Sequence, residues 1–269
     1  MPQRPVRDTR LYVEDSGGNG AVVLFAHGLL YSCRMWDAQV QTLQSRYRCI
    51  GYDHRGQGQS AVSEGGYDMD SVAEDAAALI RALGVPPVHF VGHSMGGFVG
   101  MRLAARHPEL LRSLVLIDTS ADAEPPESLP RYRMLTFIER WLGPRLVAGA
   151  VMKIMHGATV RADPTRAAEL KAVKARFIAT NRVGAVRAVN GVLGRKAVSA
   201  ELVHIRIPTL VMVGEEDTAT VPAKSEAIAH AVRGATLVRI PKAGHLSPID
   251  NPTFVSEQLS TFLASVAPA

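Results

Sequence analysis

The stretch Val88-His89-Phe90-Val91-Gly92-His93-Ser94-Met95-Gly96-Gly97 constrains the chain more than any other. Its first half is apolar and β-favouring, and its second half is Gly-x-Ser-x-Gly. Phe98 to His107 then reads as a helix, ended by Pro108. A serine between a strand and a helix is held in a tight turn that leaves no room for neighbouring Cβ atoms, which is why Gly92 and Gly96 flank it. Its hydroxyl is then presented at the carboxyl end of a strand and the positive end of a helix dipole. An ordinary Gly/Ser turn would also satisfy the pentapeptide, so the remainder of the chain must supply a base, an acid and oxyanion-binding amides.

In chain order, Arg10–Asp15 alternates as a short strand, and Ser16-Gly17-Gly18-Asn19-Gly20 signals a turn. Ala21–Ala26 is uninterrupted by polar residues, as a strand buried on both faces would be, and it ends in His27-Gly28-Leu29-Leu30-Tyr31. Trp36–Arg46 is amphipathic. Arg48–Tyr52 reads as a strand leading into the glycine- and charge-rich loop Asp53-His54-Arg55-Gly56-Gln57-Gly58-Gln59-Ser60. Met69–Leu83 is a helix closed by Gly84 and Pro86, and Ser113–Ile117 is a further buried strand ending at Asp118. This alternation predicts a mostly parallel sheet with helices on both faces.

The rhythm breaks at the proline- and acid-rich segment 122–128, and from Leu129 to about Leu202 the pattern is helical throughout. Three to five helices are expected there, inserted as a cap over the carboxyl edge of the sheet. The domains read as a core of 1–121 and 203–269 with a cap of 122–202. Strands return at Thr209–Gly214 and Thr236–Ile240, a helix at Ala223–Val232 lies between them, and Asn251-Pro252 opens a last helix.

Composition closes off several function classes. The 269 residues are 47% hydrophobic and 20% charged, enough for one large α/β domain with an insertion. No apolar run has the length of a membrane span, and Met1–Asp8 has no signal-peptide pattern, so a cytoplasmic protein is expected. Cys33 and Cys49 read as isolated thiols rather than a disulfide framework. The net charge of +5 is uneven: Leu129–Ala200 carries 14 Lys/Arg against three acids. Such a segment could steer acidic substrates. The arginines fall at helical spacing without aromatic interleaving, which fits solvated helix faces and predicts no nucleic-acid partner. Neither metal-ligand spacing nor a phosphate-binding loop occurs, so no metal and no cofactor are expected.

Asp217 follows one late strand and His245 the next, so the order is Ser, Asp, His. Loops at the carboxyl ends of neighbouring parallel strands converge, which lets Ser94, Asp217 and His245 meet. Chemistry then assigns roles. His245 takes the hydroxyl proton, Asp217 fixes the imidazole, and the amides of Met95 and Leu29 form an oxyanion hole. Leu29, Leu30 and Met95 are expected to contact substrate. Asp118 is the main rival for the acid, and His27 is the main rival for the base.

With these residues placed, the chain from Arg10 to Val266 resembles the α/β-hydrolase superfamily, and within it the compact bacterial serine esterase and lactonase group. The resemblance is carried by His27-Gly28, Asp53–Ser60, Gly92–Gly97, Gly214-x-x-Asp217 and Gly244-His245. It implies a small ester or lactone as substrate, with a haloperoxidase-type perhydrolase or a non-catalytic receptor as further alternatives. Serine at 94 separates the chain from haloalkane dehalogenases and epoxide hydrolases, which are similar but use aspartate there. Monomer and homodimer remain equally open.

Overall fold

The computed structural model describes residues 3–85 and 87–266, with the side chain of Glu139 also outside the described set. The expected helix stop at Pro86 therefore lies outside the described residues, as do the first two positions of the N-terminal stretch.

Eight strands form one sheet in the order β1-β2-β4-β3-β5-β6-β7-β8. They are β1 (Gln3–Val6), β2 (Thr9–Asp15), β3 (Val22–Ala26), β4 (Arg48–Tyr52), β5 (Val88–His93), β6 (Leu111–Ile117), β7 (Thr209–Gly214) and β8 (Thr236–Ile240). Strands β3 to β8 pair in parallel, while β1–β2 and β2–β4 are antiparallel. Every residue of β3, β5 and β7 is buried, which their unbroken apolar runs require of central parallel strands. The edge strand β8 is half-exposed. The short β1 was not foreseen: it has four residues, includes Pro5, and pairs at an edge, where a missing N–H is tolerated.

Two helical layers cover the sheet. On one face α2 (Met69–Leu83), α3 (Met95–Arg106) and α9 (Pro222–Ala231) enclose a core that includes Leu24, Ile50, Phe90 and Leu114. On the other, α1 (Asp37–Leu43) and α11 (Pro252–Ser265) pack over Val23, Phe25, Val91 and Val115. Asp68 caps α2 by accepting the Ser71 N–H at 2.9 Å, and Gly84 ends it in the left-handed region at φ 65°.

Between β6 and β7 lie five α-helices: α4 (Leu129–Leu142), α5 (Pro144–Met155), α6 (Ala158–Ala162), α7 (Ala167–Ile178) and α8 (Arg182–Leu193). This matches the upper end of the expected helix count. The insertion is tied to the sheet's carboxyl edge at Asp250, in the short helix α10 (Ser247–Asp250) that sequence periodicity did not suggest. Asp250 accepts hydrogen bonds from His156 Nδ1 at 2.6 Å and from the Gly157 and Gly244 amides at 2.9 Å each. Among the described residues, no helix is long and apolar enough to cross a membrane. Cys33 and Cys49 are both buried free thiols.

Candidate active site

The strand order reverses around β3, because the chain passes from β3 to β4 on one side and then crosses to β5 on the other. Crevices at such switch points open beyond the carboxyl ends of the strands. Ala26 of β3 is in register with Gly92 of β5, and His93 is in register with Ile117 of β6. The loops carrying Leu29, Ser94 and Asp118 therefore emerge side by side.

Ser94 sits between β5 and α3 with φ 48° and ψ −109°, a conformation that a non-glycine residue adopts only where its surroundings impose it. The surroundings do so through close backbone approach. A Cβ on Gly92 would collide with the Gly96 carbonyl, and one on Gly96 would collide with the Ala26 carbonyl. Glycine at both positions is thus a requirement of the turn rather than a preference for flexibility.

The structure brings the three expected side chains together. His245 Nε2 lies 2.9 Å from Ser94 Oγ, and His245 Nδ1 lies 2.9 Å from Asp217 Oδ2. Asp217 also accepts the Ala219 N–H at 2.8 Å, the Thr220 N–H at 3.0 Å and the Thr220 hydroxyl at 2.8 Å. Both carboxylate oxygens are thereby fixed. Burial disfavours charge on His245, but the Asp217 carboxylate and its hydrogen bond, with Asp118 and Asp250 further off, outweigh burial and raise the imidazole above its ordinary pKa. Burial likewise works to raise Asp217, and the His245 and Thr220 contacts overcome it and hold this carboxyl below its usual range.

The rivals fall elsewhere. Asp118 is fully buried, and its oxygens accept the Gly214 N–H at 2.8 Å and the Ser247 hydroxyl at 2.6 Å. Burial and then the Asp217 charge push its pKa well up. It braces the loops that carry Asp217 and His245 instead of contacting the imidazole nitrogens. His27 is occupied on both ring nitrogens: Nδ1 donates to Gly28 O at 2.7 Å, and Nε2 accepts the His54 N–H at 3.0 Å. Burial lowers its pKa, so it stays a neutral structural ring.

The Leu29 and Met95 amides, expected to face an oxyanion, have no acceptor among the described residues. The next amide does have one: Leu30 N–H donates to Gln57 Oε1 at 2.6 Å while Leu30 is held at φ 65°. Gln57 was passed over in the sequence because glycine and charge dominate its loop. Asp53 holds that loop by accepting the Cys33 N–H at 2.7 Å and the Gln59 N–H at 2.8 Å. His93 was also read only as a neighbour of the nucleophile. Its Nε2 donates to the His245 carbonyl at 2.5 Å, and burial, then the His245 charge, lower its pKa to about 3.

A cavity of about 290 Å³ opens over Ser94 and His245, with Leu29 and Phe98 on the core side and Tyr132 and Val189 on the helical insertion. Of the three side chains expected to touch substrate, only Leu29 lines it. Leu30 lines a smaller adjoining cavity against Val173 and Arg176. The Met95 side chain is buried, with Gln57 Nε2 3.5 Å from its sulfur, and does not line the cavity. The helix direction at the nucleophile turn causes this, since it turns the residue after Ser94 into the core. No group of three or more metal-ligating side chains occurs among the described residues.

The model of the α/β-hydrolase fold family matches residues 21–252. The chain belongs to the α/β-hydrolase family. Among the relatives of this hydrolase is RutD of Pseudomonas syringae pv. syringae, provisionally named a carbamate hydrolase. It is 32% identical over 249 residues, covering 90% of this chain and 93% of its own. The enol-lactonase from Burkholderia xenovorans LB400 superposes with a TM-score of 0.91 at 27% identity, over 98% of this chain and 100% of its own. A thermophilic esterase from Thermogutta terrifontis, solved with malate bound, gives 0.91 at 29% identity over 100% of both chains. The hydrolase is thus similar to bacterial esterases and lactonases throughout its length.

Proposed function

We propose that this hydrolase cleaves small carboxylic esters through an acyl-enzyme, with Ser94 as nucleophile, His245 as general base and acid, and Asp217 as its orienting carboxylate. The single observation that carries this reading is the continuous contact from Asp217 Oδ2 through both nitrogens of His245 to Ser94 Oγ, at 2.9 Å for each step. As Ser94 Oγ attacks the ester carbonyl, His245 Nε2 takes its proton, and Asp217 stabilises the resulting imidazolium. The Leu29 and Met95 amides receive the negative oxygen of the tetrahedral intermediate. His245 then protonates the departing alcohol, and water, deprotonated by the same ring, releases the acid and restores Ser94.

Residues 122–202 act as an inserted cap that closes the acyl pocket. The named activities of the relatives, on esters, an enol lactone and a carbamate, are compatible with attack on a carbonyl carbon by one serine. The buried thiols suit a reducing compartment, and we assign the enzyme to the cytoplasm with a small molecule as its partner.

The test is turnover of p-nitrophenyl butyrate. Ser94→Ala is expected to lower kcat by about 10³-fold or more. Turnover retained in that variant would remove the nucleophile assignment. A fluorophosphonate probe should label Ser94, which a receptor lacking catalysis would not allow. The lactone reading is favoured by the superposition on the enol-lactonase. Comparing kcat/KM for lactones and for open-chain esters separates the two, since a strong preference for linear esters would exclude it.

A further inference from the structure

Part of the cavity wall is charged, and most of that charge is already matched. Arg195 is buried and donates to Glu124 Oε2 at 2.6 Å, with its guanidinium 4.5 Å from the centre of the Phe98 ring. Lys224 donates to Asp122 Oδ2 at 2.6 Å. Both cations, and Glu124 with them, are therefore engaged within the wall. Arg131 is different. It lines the same cavity from the first turn of α4, is exposed at its rim, and has no hydrogen-bond or ion-pair partner among the described residues.

Two further features point the same way. Ser128, the residue before α4, also lines the cavity, and its hydroxyl makes no capping bond to the helix. The positive end of this 14-residue helix therefore lies beside the cavity that the guanidinium lines. Tyr132, beside Arg131, is raised above the ordinary phenol pKa by burial and then by Glu124, against the opposing charges of Arg131 and Arg195. Its hydroxyl stays protonated, adding a neutral donor to this wall rather than a competing anion.

An unengaged guanidinium at the rim of a serine hydrolase pocket has one natural complement, a planar anion able to take two of its N–H groups at once. We propose that the substrate carries a free carboxylate remote from the scissile ester, and that Arg131 receives it. The substrate class is then a monoester of a dicarboxylic acid, an acylated hydroxy acid, or a lactone bearing a carboxylate. This rests on the ester-hydrolase reading, and it makes Arg131 a specificity-determining residue that leaves the chemistry at Ser94 unchanged in kind.

Four substrates test it: monomethyl adipate and 4-acetoxybutanoate, with a carboxylate on the acyl or alcohol side, and their neutral counterparts dimethyl adipate and methyl 4-acetoxybutanoate. Wild type is expected to favour at least one charged ester over its neutral partner in kcat/KM. Arg131→Gln should cut that charged-to-neutral ratio about tenfold, through KM more than kcat, and Arg131→Lys should restore part of it. Arg133→Gln, which removes an equal charge two residues along the same helix at a position that does not line the cavity, should not alter the ratio comparably. An equal effect of Arg131→Gln and Arg133→Gln, or a ratio untouched by Arg131→Gln, would overturn the proposal while leaving the ester-hydrolase reading intact. Calorimetric binding of adipate to Ser94→Ala, alone and combined with Arg131→Gln, gives a readout free of turnover. Tighter binding to the variant that keeps Arg131 supports the proposal even if none of the four esters is cleaved, and equal binding opposes it.

Discussion

At the scale of single residues, the site depends on an imidazole whose charge is favoured above all by the Asp217 carboxylate despite burial. As the proposed base, His245 must be neutral to accept the Ser94 proton, so a raised pKa places the acidic limb of kcat/KM above the ordinary imidazole value of about 6.5, with activity lost as pH falls through it. Asp217→Asn removes the largest favourable charge. It is expected to move that limb to lower pH and to reduce kcat by roughly 10³–10⁴-fold, as the pH-rate profile of the variant would show. A limb that stays in place would mean that another group titrates. The meeting of Ser94, Asp217 and His245 was legible in the sequence, because each stands at a fixed offset from a strand end with glycine beside the first and third. The distinction between Asp217 and Asp118 was less so. Both follow buried strands, and only the packed loops show that Asp118 spends its oxygens on Gly214 and Ser247.

At the scale of elements, two clamps position the loops, and neither is written in a motif. Gln57 engages the Leu30 amide, with Leu30 in a left-handed conformation, while the Leu29 amide has no acceptor among the described residues. Gln57→Leu is expected to lower kcat about 10–100-fold with a smaller change in KM, because the proposed oxyanion donor at Leu29 moves while the pocket persists. Steady-state kinetics with a thermal melt to confirm folding would check this, and an unchanged kcat would leave Gln57 only a packing role. Asp250 joins the end of α5 to the loop of His245 through His156, Gly157 and Gly244. Asp250→Ala strands three buried donors and should destabilise the fold by about 2–4 kcal/mol in urea titration. Turnover should fall as well, since the Gly244 amide precedes His245, the proposed base. The expected strands Arg48–Tyr52, Thr209–Gly214 and Thr236–Ile240 and the helix Met69–Leu83 have the observed bounds. Strong periodicity and clear stops define such elements locally. The short β1 and α10 carry too few residues for any period to register, and they exist because a sheet edge and the Asp250 clamp hold them.

Over the whole molecule, charge is divided as the sequence implies: the segment Leu129–Ala200 holds 14 cations against three acids, and Arg131, Tyr132, Val189 and Arg195 of this segment line the cavity over Ser94. As the proposed cap, this basic segment should draw anionic substrates inward over distances that salt screens, the Debye length being about 8 Å at physiological ionic strength. Raising NaCl from about 20 mM to about 0.5 M is expected to lower kcat/KM for monomethyl adipate at least about threefold and to leave dimethyl adipate nearly unchanged. Equal responses would show that the cap's charge is local decoration only. The sequence by itself determined the sheet and its alternation with helices, the serine turn, the order of its partners and the presence of a helical insertion, because strand and helix periods, glycine constraints and strand-end loops act over a few residues. Only the tertiary structure decided which side chains line the pocket, since that depends on how the inserted helices dock on a distant edge. Leu30 and Met95 turned into the neighbouring cavity and the core, whereas Arg131, about 40 residues from the nucleophile in sequence, came to stand at the rim of its cavity.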